Sequence, residues 1–473
     1  MEGQTQLPEL PDLPLAVLRL VVAWLLPADL FDDEVEPWKH SLRFSASSTQ
    51  TLEPLGEALR DASLALAALR PHPEPASFCW PHAVRSIARG GCANCASWRA
   101  LRPLRAVRPQ TAATSPLHEA PQLSGASLCA LRGGHLVIHG GRCSSSGETC
   151  DATYLAQTAQ MPSGLVKWDL LRCQPPGPAA RCYHAAAPVL QVGAGLGEAM
   201  LIFGGAGSGE RLHGDTWFLE LQSQEKAHGH RTSYVVGSGS GQLSGAVWRQ
   251  TLVEISEGPA PRSSHVLAAW HCSSGGWSAV LHGGLGSSGV MADVWLLQQP
   301  SGPWHEMRTS GGNVARAHHC GAVCRDRLLV HSGQDETFLT VGTVHSLELC
   351  SGVWTRLGMP SLADGRPLLR IDAAAAAVGP LGLLVFGGVD QAFEFQPAEP
   401  WLLKASTRAS AARFLQVRPR CGLKGPSPRA CGSLCAAAGE GWKAYAFGGF
   451  DGQQDLSELW CLDMTPCGLA ACR

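Results

Sequence analysis

The sequence predicts a mainly-β fold, a six-bladed β-propeller with a small N-terminal α-helical region ahead of it. Three observations carry this expectation. Apolar runs that end in a glycine pair, or a near-miss of one, recur at 136–141, 201–205, 280–284, 328–333, 383–388 and 444–449. A polar turn and a second apolar strand follow, as at 215–221, 293–297 and 457–462. A tryptophan-led strand comes next at Trp168, Trp248, Trp304 and Trp354, and Phe414 takes that place in the fifth unit.

Each feature has a physical reason. The pairs Gly140–Gly141, Gly204–Gly205, Gly283–Gly284, Gly387–Gly388 and Gly448–Gly449 let the chain turn sharply and approach neighbouring backbone closely after a buried strand. Large rings bury the most area, so the strand aromatics are expected between neighbouring sheets. The sixth unit ends before a tryptophan strand can form, but residues 97–101, around Trp98, are similar to 247–251, around Trp248. A ring left open would expose two sheet edges. The closing strand is therefore expected near 97–103, beside Trp460. The propeller then runs over 95–466, after a helical region 1–94 and before a tail 467–473.

Glycine-paired strands repeated in this way resemble kelch repeats, whose fold is a β-propeller of four-stranded blades. Three units also open on Arg-x-x-His: Arg181 with His184, Arg262 with His265, and Arg316 with His319. Arg370 and Arg429 keep the arginine, while Ala373 and Gly432 replace the histidine. Such residues either form a cationic ring for acidic peptide or lock unit to unit; recurrence with the repeat favours the lock.

Before residue 95, leucine and alanine dominate. Leu13, Val17, Leu18, Val21 and Leu25 are spaced as a helix, with Asp12 placed to cap it and Pro14 in its first turn. Residues 51–69 and 78–89 are two further helix candidates. The positions Leu13, Pro14, Val17, Leu18, Val21, Leu25, Asp29 and Leu30 resemble the first half of an F-box; the Cys-Arg-x-Trp close of that motif is missing. The resemblance implies an adaptor-binding patch formed by Leu13, Pro14, Val17, Leu18 and Val21. An F-box followed by a kelch propeller is the layout of substrate receptors of cullin-type ubiquitin ligases. Such a receptor binds an adaptor through its helices and a target protein through its propeller, and it carries no catalytic residue. A kelch scaffold without a ubiquitin role is the alternative.

Other chemistries find less support. A formal net charge of −2 offers no broad basic field for nucleic acid. The apolar run 13–26 contains Arg19 and is short for a membrane span. The 18 cysteines show no regular framework, so reduced thiols and a cytoplasmic or nuclear location are expected. Cys79, His82, Cys92 and Cys95 have zinc-ligand spacing, against the reading of merely buried thiols. A copper-type kelch enzyme would need converging tyrosines and histidines, and only Tyr183 stands beside a repeat histidine. No cofactor is expected. Loops beyond the glycine pairs, carrying Arg142, Glu210, Arg211, Asp335 and Asp451, are the expected partner-binding residues.

Overall fold

The computed structural model describes residues 97–103, 114–116, 119–143, 145–158, 164–173, 175–190, 198–223, 243–251, 258–270, 277–298, 302–359, 369–378, 382–405, 412–417, 425–438 and 443–464. The expected helical region 1–94 and tail 467–473 lie outside them. So do the patch Leu13, Pro14, Val17, Leu18 and Val21 and the zinc candidates Cys79, His82, Cys92 and Cys95. The fold is mainly β and propeller-like.

Four-stranded antiparallel meanders follow one another along the chain. The first comprises Ser127–Leu131, His135–His139, Thr153–Gln157 and Leu165–Leu171. The second comprises Ala185–Leu190, Glu198–Phe203, Thr216–Ser223 and Leu243–Gln250. In the third, Val266–Ala269 pairs with Trp277–Gly286, then Gly289–Gln298 and Trp304–Glu306. The fourth runs from Cys320–Cys324 through Arg327–His331 and Val344–Glu348 to Val353–Gly358. The fifth runs from Ala374–Ala377 through Leu383–Phe386 and Trp401–Ala405 to Ala412–Gln416. The sixth has Ser433–Ala436, Lys443–Phe447 and Leu459–Asp463, and its fourth strand is Ser97–Pro103. Trp98 stands opposite Leu462 in that pairing, and Ala100 opposite Trp460.

The innermost strands touch in a cycle, the sixth meeting the first. A second chain of contacts follows the same cycle. One equivalent residue just before each first strand has left-handed backbone: Gly125, Tyr183, Ser264, His318, Asp372 and Cys431, with φ between 54° and 60°. Each donates its N–H to the carbonyl of the one before, from Tyr183 to Gly125 at 2.8 Å round to Gly125 on Cys431 at 2.8 Å. These bonds run across the sheets rather than within them, so they hold the inner edges of separate meanders together.

The core lies between the meanders. Second strands such as Leu136–Val137–Ile138 are almost wholly buried because a sheet covers each of their faces. One apolar cluster joins each pair of neighbours. Trp248 packs with Val137 and Leu155 of the first unit, and Trp304 packs with Phe203 and Phe218 of the second. Trp354 and Trp168 take the same role in their own interfaces. Phe414 stands opposite Leu403, in register with those tryptophans. The closing strand places Trp98 against Phe386 and Trp460, with ring centroids 5.3 and 6.3 Å away.

The glycine pair shows why the interface accepts so few residues there. Gly204 has φ +68°, and a Cβ on it would stand 2.5 Å from the carbonyl oxygen of Arg262. The fourth unit manages with Ser332, which also takes φ 62°, and its hydroxyl accepts the N–H of Arg370. A short polar side chain tolerates this backbone better than a bulky one.

Replacing Trp98 by alanine removes the aromatic fill of the last interface. The expected loss is about 3–5 kcal/mol of stability, measured by urea unfolding. An unchanged midpoint would show that the closing strand is dispensable.

Candidate functional site

The chain enters each first strand and leaves each second strand at the same end of its meander, so motif arginines, glycine pairs and the loops after them share one face. The arginines are buried there. Arg181 Nε donates to Ala179 O at 2.9 Å, and Nη1 donates to Gly204 O at 2.9 Å. Its two terminal nitrogens bind both oxygens of Asp215 at 2.7 and 2.9 Å, and Trp217 Nε1 donates to the same carboxylate at 2.7 Å. Arg262 repeats the arrangement with Asp293 and Trp295. Arg429 keeps the bond to Gly448 O but binds a single oxygen of Glu458, to which Trp460 also donates. Burial works against the carboxylates of Asp215 and Asp293, but their arginine and tryptophan donors outweigh it and hold both below the usual range. These guanidiniums tie strands of their own unit together, the arginine carbonyls take the N–H of the preceding unit's glycine turn, and the side chains are not free to bind acidic peptide.

The fourth unit departs from the pattern. Thr343 and His345 stand where the carboxylate and tryptophan stand elsewhere. Arg316 donates to Thr343 O at 2.8 Å, to Thr343 Oγ1 at 3.0 Å and to His345 Nδ1 at 2.5 Å. Without a carboxylate on it, burial pulls the Arg316 pKa down to about 10.

Inside the face, the left-handed residues ring the mouth of a central cavity of about 190 Å³. Their side chains differ from unit to unit. His318 Nδ1 and Asp372 Oδ1 pair at 2.8 Å. Burial disfavours the His318 imidazolium, but the adjacent Asp372 carboxylate outweighs it and raises the pKa. Tyr183 Oη lies 3.6 Å from Cys431 Sγ, whose thiol is pushed well up by burial and by Asp372. This mouth can offer hydrogen bonds to a polar group. No nucleophile–base–orienter sequence forms, because Asp372 rather than His318 faces the thiol. Among the described residues, no group of three or more histidine, cysteine or acidic side chains is placed to hold a metal. No helix among them is long and apolar enough to cross a membrane.

The expected partner-binding residues sit on the loops of this face. Arg142 and Arg211 are exposed, and Glu210 ends the 3-10 turn Ser208–Glu210. Two of the carboxylates also fold their own loops. Asp335 accepts the backbone N–H groups of Thr337 and Leu339 and the Thr337 hydroxyl. Asp451 accepts the N–H groups of Gln453 and Gln454, both at 2.9 Å. The channel-mouth set escaped sequence reasoning. Its one signal was the variable position just before the histidine of Arg-x-x-His.

With this geometry in view, the comparisons with known proteins are informative. The KLHDC2/KLHL20/DRC7 Kelch-repeats domain matches residues 125–388, more than half of the chain. The chain belongs to the kelch-repeat family and carries a protein-interaction propeller. An F-box/kelch-repeat protein of Arabidopsis thaliana is 25% identical over 67% of this chain and 63% of its own length. Adagio-like protein 3 of Oryza sativa is 25% identical over 41% of the chain and 27% of its own length. Acyl-CoA-binding domain-containing protein 4 of Arabidopsis thaliana is 27% identical over 67% of the chain and 42% of its own length. The chain thus spans less than two thirds of each of these relatives. The solved structure of YjhT is 14% identical, with a TM-score of 0.48, over 72% of this chain and 95% of that one.

The lock and the buried histidines each predict a measurable behaviour. Asp293→Ala would strand a fully buried guanidinium and cost about 3–5 kcal/mol. Glu458→Ala should cost clearly less, because that side chain is 47% exposed. Urea unfolding of both variants checks the order. Burial lowers the pKa of His139, His265, His282 and His331 to about 3 and that of His345 to about 4. In the unfolded chain they bind protons below about pH 6.5, so their contribution is whole above that pH and is lost as pH falls towards 3. His318 acts oppositely, stabilising below pH 6.5 and losing that effect as pH rises through its raised pKa. The five outweigh the one, and the melting temperature should fall steadily from pH 6.5 to about pH 4.5. A flat profile would count against neutral buried imidazoles.

Proposed function

We propose that this chain is the substrate-recognition subunit of a cullin-type ubiquitin ligase. In this reading its propeller is six-bladed, spans residues 95–466 and holds a target protein. The region 1–94 docks an F-box-binding adaptor through Leu13, Pro14, Val17, Leu18 and Val21. The observation that carries the reading is the relationship to an F-box/kelch-repeat protein over 67% of the chain, beside the F-box-like spacing 13–30. Target contacts come from the loops of Arg142, Glu210, Arg211, Asp335 and Asp451. Ubiquitin transfer occurs on other subunits, so the chain supplies binding and positioning rather than catalysis. The work takes place in the cytoplasm, the nucleus or both.

A kelch scaffold without a ubiquitin role is the second reading. It is favoured by the match of equal coverage to a protein named for an acyl-CoA-binding domain.

The purified adaptor should be retained by the wild-type chain. Leu18→Asp with Val21→Asp should abolish retention while the melting temperature of the propeller stays unchanged. A wild-type chain that never retains the adaptor leaves the scaffold reading standing.

A further inference from the structure

Two phenylalanines on the loop face occupy backbone that suits glycine. The loops of the fourth and fifth units make the same tight turn, and that of the first unit makes a turn one residue longer that closes in the same way. In the first, Gly147 N–H donates to Cys143 O at 2.8 Å, and Cys143 N–H donates to Glu148 O at 3.0 Å. In the fourth, Phe338 N–H donates to Asp335 O at 2.9 Å, and Asp335 N–H donates to Leu339 O at 3.0 Å. In the fifth, Phe393 N–H donates to Asp390 O at 3.0 Å, and Asp390 N–H donates to Glu394 O at 3.0 Å. Phe338 and Phe393 are therefore one position, with φ 59° and 61°, and Gly147, with φ 72°, holds the corresponding place just before the closing residue of the longer first turn.

Glycine takes this conformation freely; a β-carbon makes it costly and a bulky ring has nothing to gain from it locally. Neither ring is recovered by packing, since Phe338 is 56% and Phe393 69% exposed. Leu339 beside them is 60% exposed. The fold thus bears backbone strain to hold two rings in water, and such strain persists where a side chain is needed for another purpose.

The two loops also form one surface. Gln391 Oε1 accepts Thr340 N–H at 2.6 Å and the Thr340 hydroxyl, and its Nε2 donates to Phe338 O at 3.3 Å. Their carboxylates Asp335 and Asp390 close the loops, while Glu336 and Glu394 are exposed. Across the fourth, fifth and sixth loops, residues 332–343, 387–400 and 448–458 contain no lysine, arginine or histidine. Arg142 and Arg211 belong to the opposite part of the face, on the first and second loops. The patch is therefore apolar at its centre and acidic at its edge.

We propose that Phe338, Leu339 and Phe393 form a docking surface for a partner-protein segment in which aliphatic side chains alternate with lysine or arginine. The rings take the aliphatic groups, and Glu336 and Glu394 face the cations. Charge complementarity selects this occupant: an acidic rim repels an acidic peptide and an anionic lipid surface alike. This assignment rests on the propeller as the target-binding module and adds the chemistry of the target.

The test uses the full chain and a fluorescein-labelled peptide of alternating lysine and leucine, followed by anisotropy. Saturable binding is expected, weakened by added salt because the charges are solvent-exposed. The double substitution Phe338→Gly with Phe393→Gly should weaken it about tenfold or more and leave the urea midpoint unchanged or raised. Alternating lysine–serine and glutamate–leucine peptides should bind much less. Equal binding by the double variant, equal binding of the glutamate–leucine peptide, or absence of saturable binding would overturn the proposal. So would a dimer of the wild-type chain that dissociates in the double variant, because the occupant would then be a second copy. Adaptor retention is read separately, so failure here leaves the ligase reading untouched and failure there leaves this surface untouched.

Discussion

The backbone carbonyl of the motif arginine is the hinge on which neighbouring units meet. Arg181 O accepts the N–H of Gly141, and Arg262 O accepts that of Gly205, both at 2.8 Å. The same pattern continues to Gly449, which donates to Leu123 O at 2.9 Å because Leu123 stands in the arginine's place in the first unit. A carbonyl this close to the preceding turn leaves no room for a Cβ at Gly140, Gly204 or Gly448. The guanidinium of the same residue then ties its own second strand to the start of its third. One residue thus links three segments of its own unit through its side chain and the preceding unit through its carbonyl, and its burial is tolerable because a carboxylate and backbone carbonyls satisfy it.

Departures from that scheme are instructive. The fourth unit lacks the carboxylate, has serine in the glycine pair, and satisfies Arg316 with Thr343 and His345. Hydrogen bonding survives, but charge compensation at this position does not, which is why burial acts on Arg316 so strongly. The next unit shows the same depression at Arg370, whose pKa burial also draws to about 10. The phenylalanine-bearing loops belong to these two units.

The loop face combines two kinds of surface. Around the channel, backbone shared between units fixes the mouth and leaves one variable side chain there in each unit but the first, which has Gly125; Tyr183, His318 and Asp372 are among them. Further out, tight turns closed by Asp335, Asp390 and Asp451 present side chains without any need to pack on the core. A propeller can vary both with little disturbance of the interfaces, since of these positions Cys431 alone packs on an apolar cluster, the small one of Ile371, Val389 and Ala430. This separation lets the same scaffold bind unrelated proteins.

The periodic part of the molecule was legible along the chain. Buried second strands, glycine pairs, motif arginines and outer tryptophans recur because each unit solves the same local packing problem. The likeness of residues 97–101 to 247–251 was visible for that reason too. Aperiodic positions were not legible: Tyr183, His318, Asp372 and Cys431 are 54 or more residues apart in sequence, and only closure of the ring brings them to one mouth. Nor could sequence show that Phe338 and Phe393 share one left-handed turn position, because apolar residues in a loop look the same whether buried or exposed. Sequence determined the repeating unit, since its contacts are local and recur. Tertiary structure alone decided the channel mouth and the exposed loop patch, since those depend on which unlike residues the closed ring sets side by side.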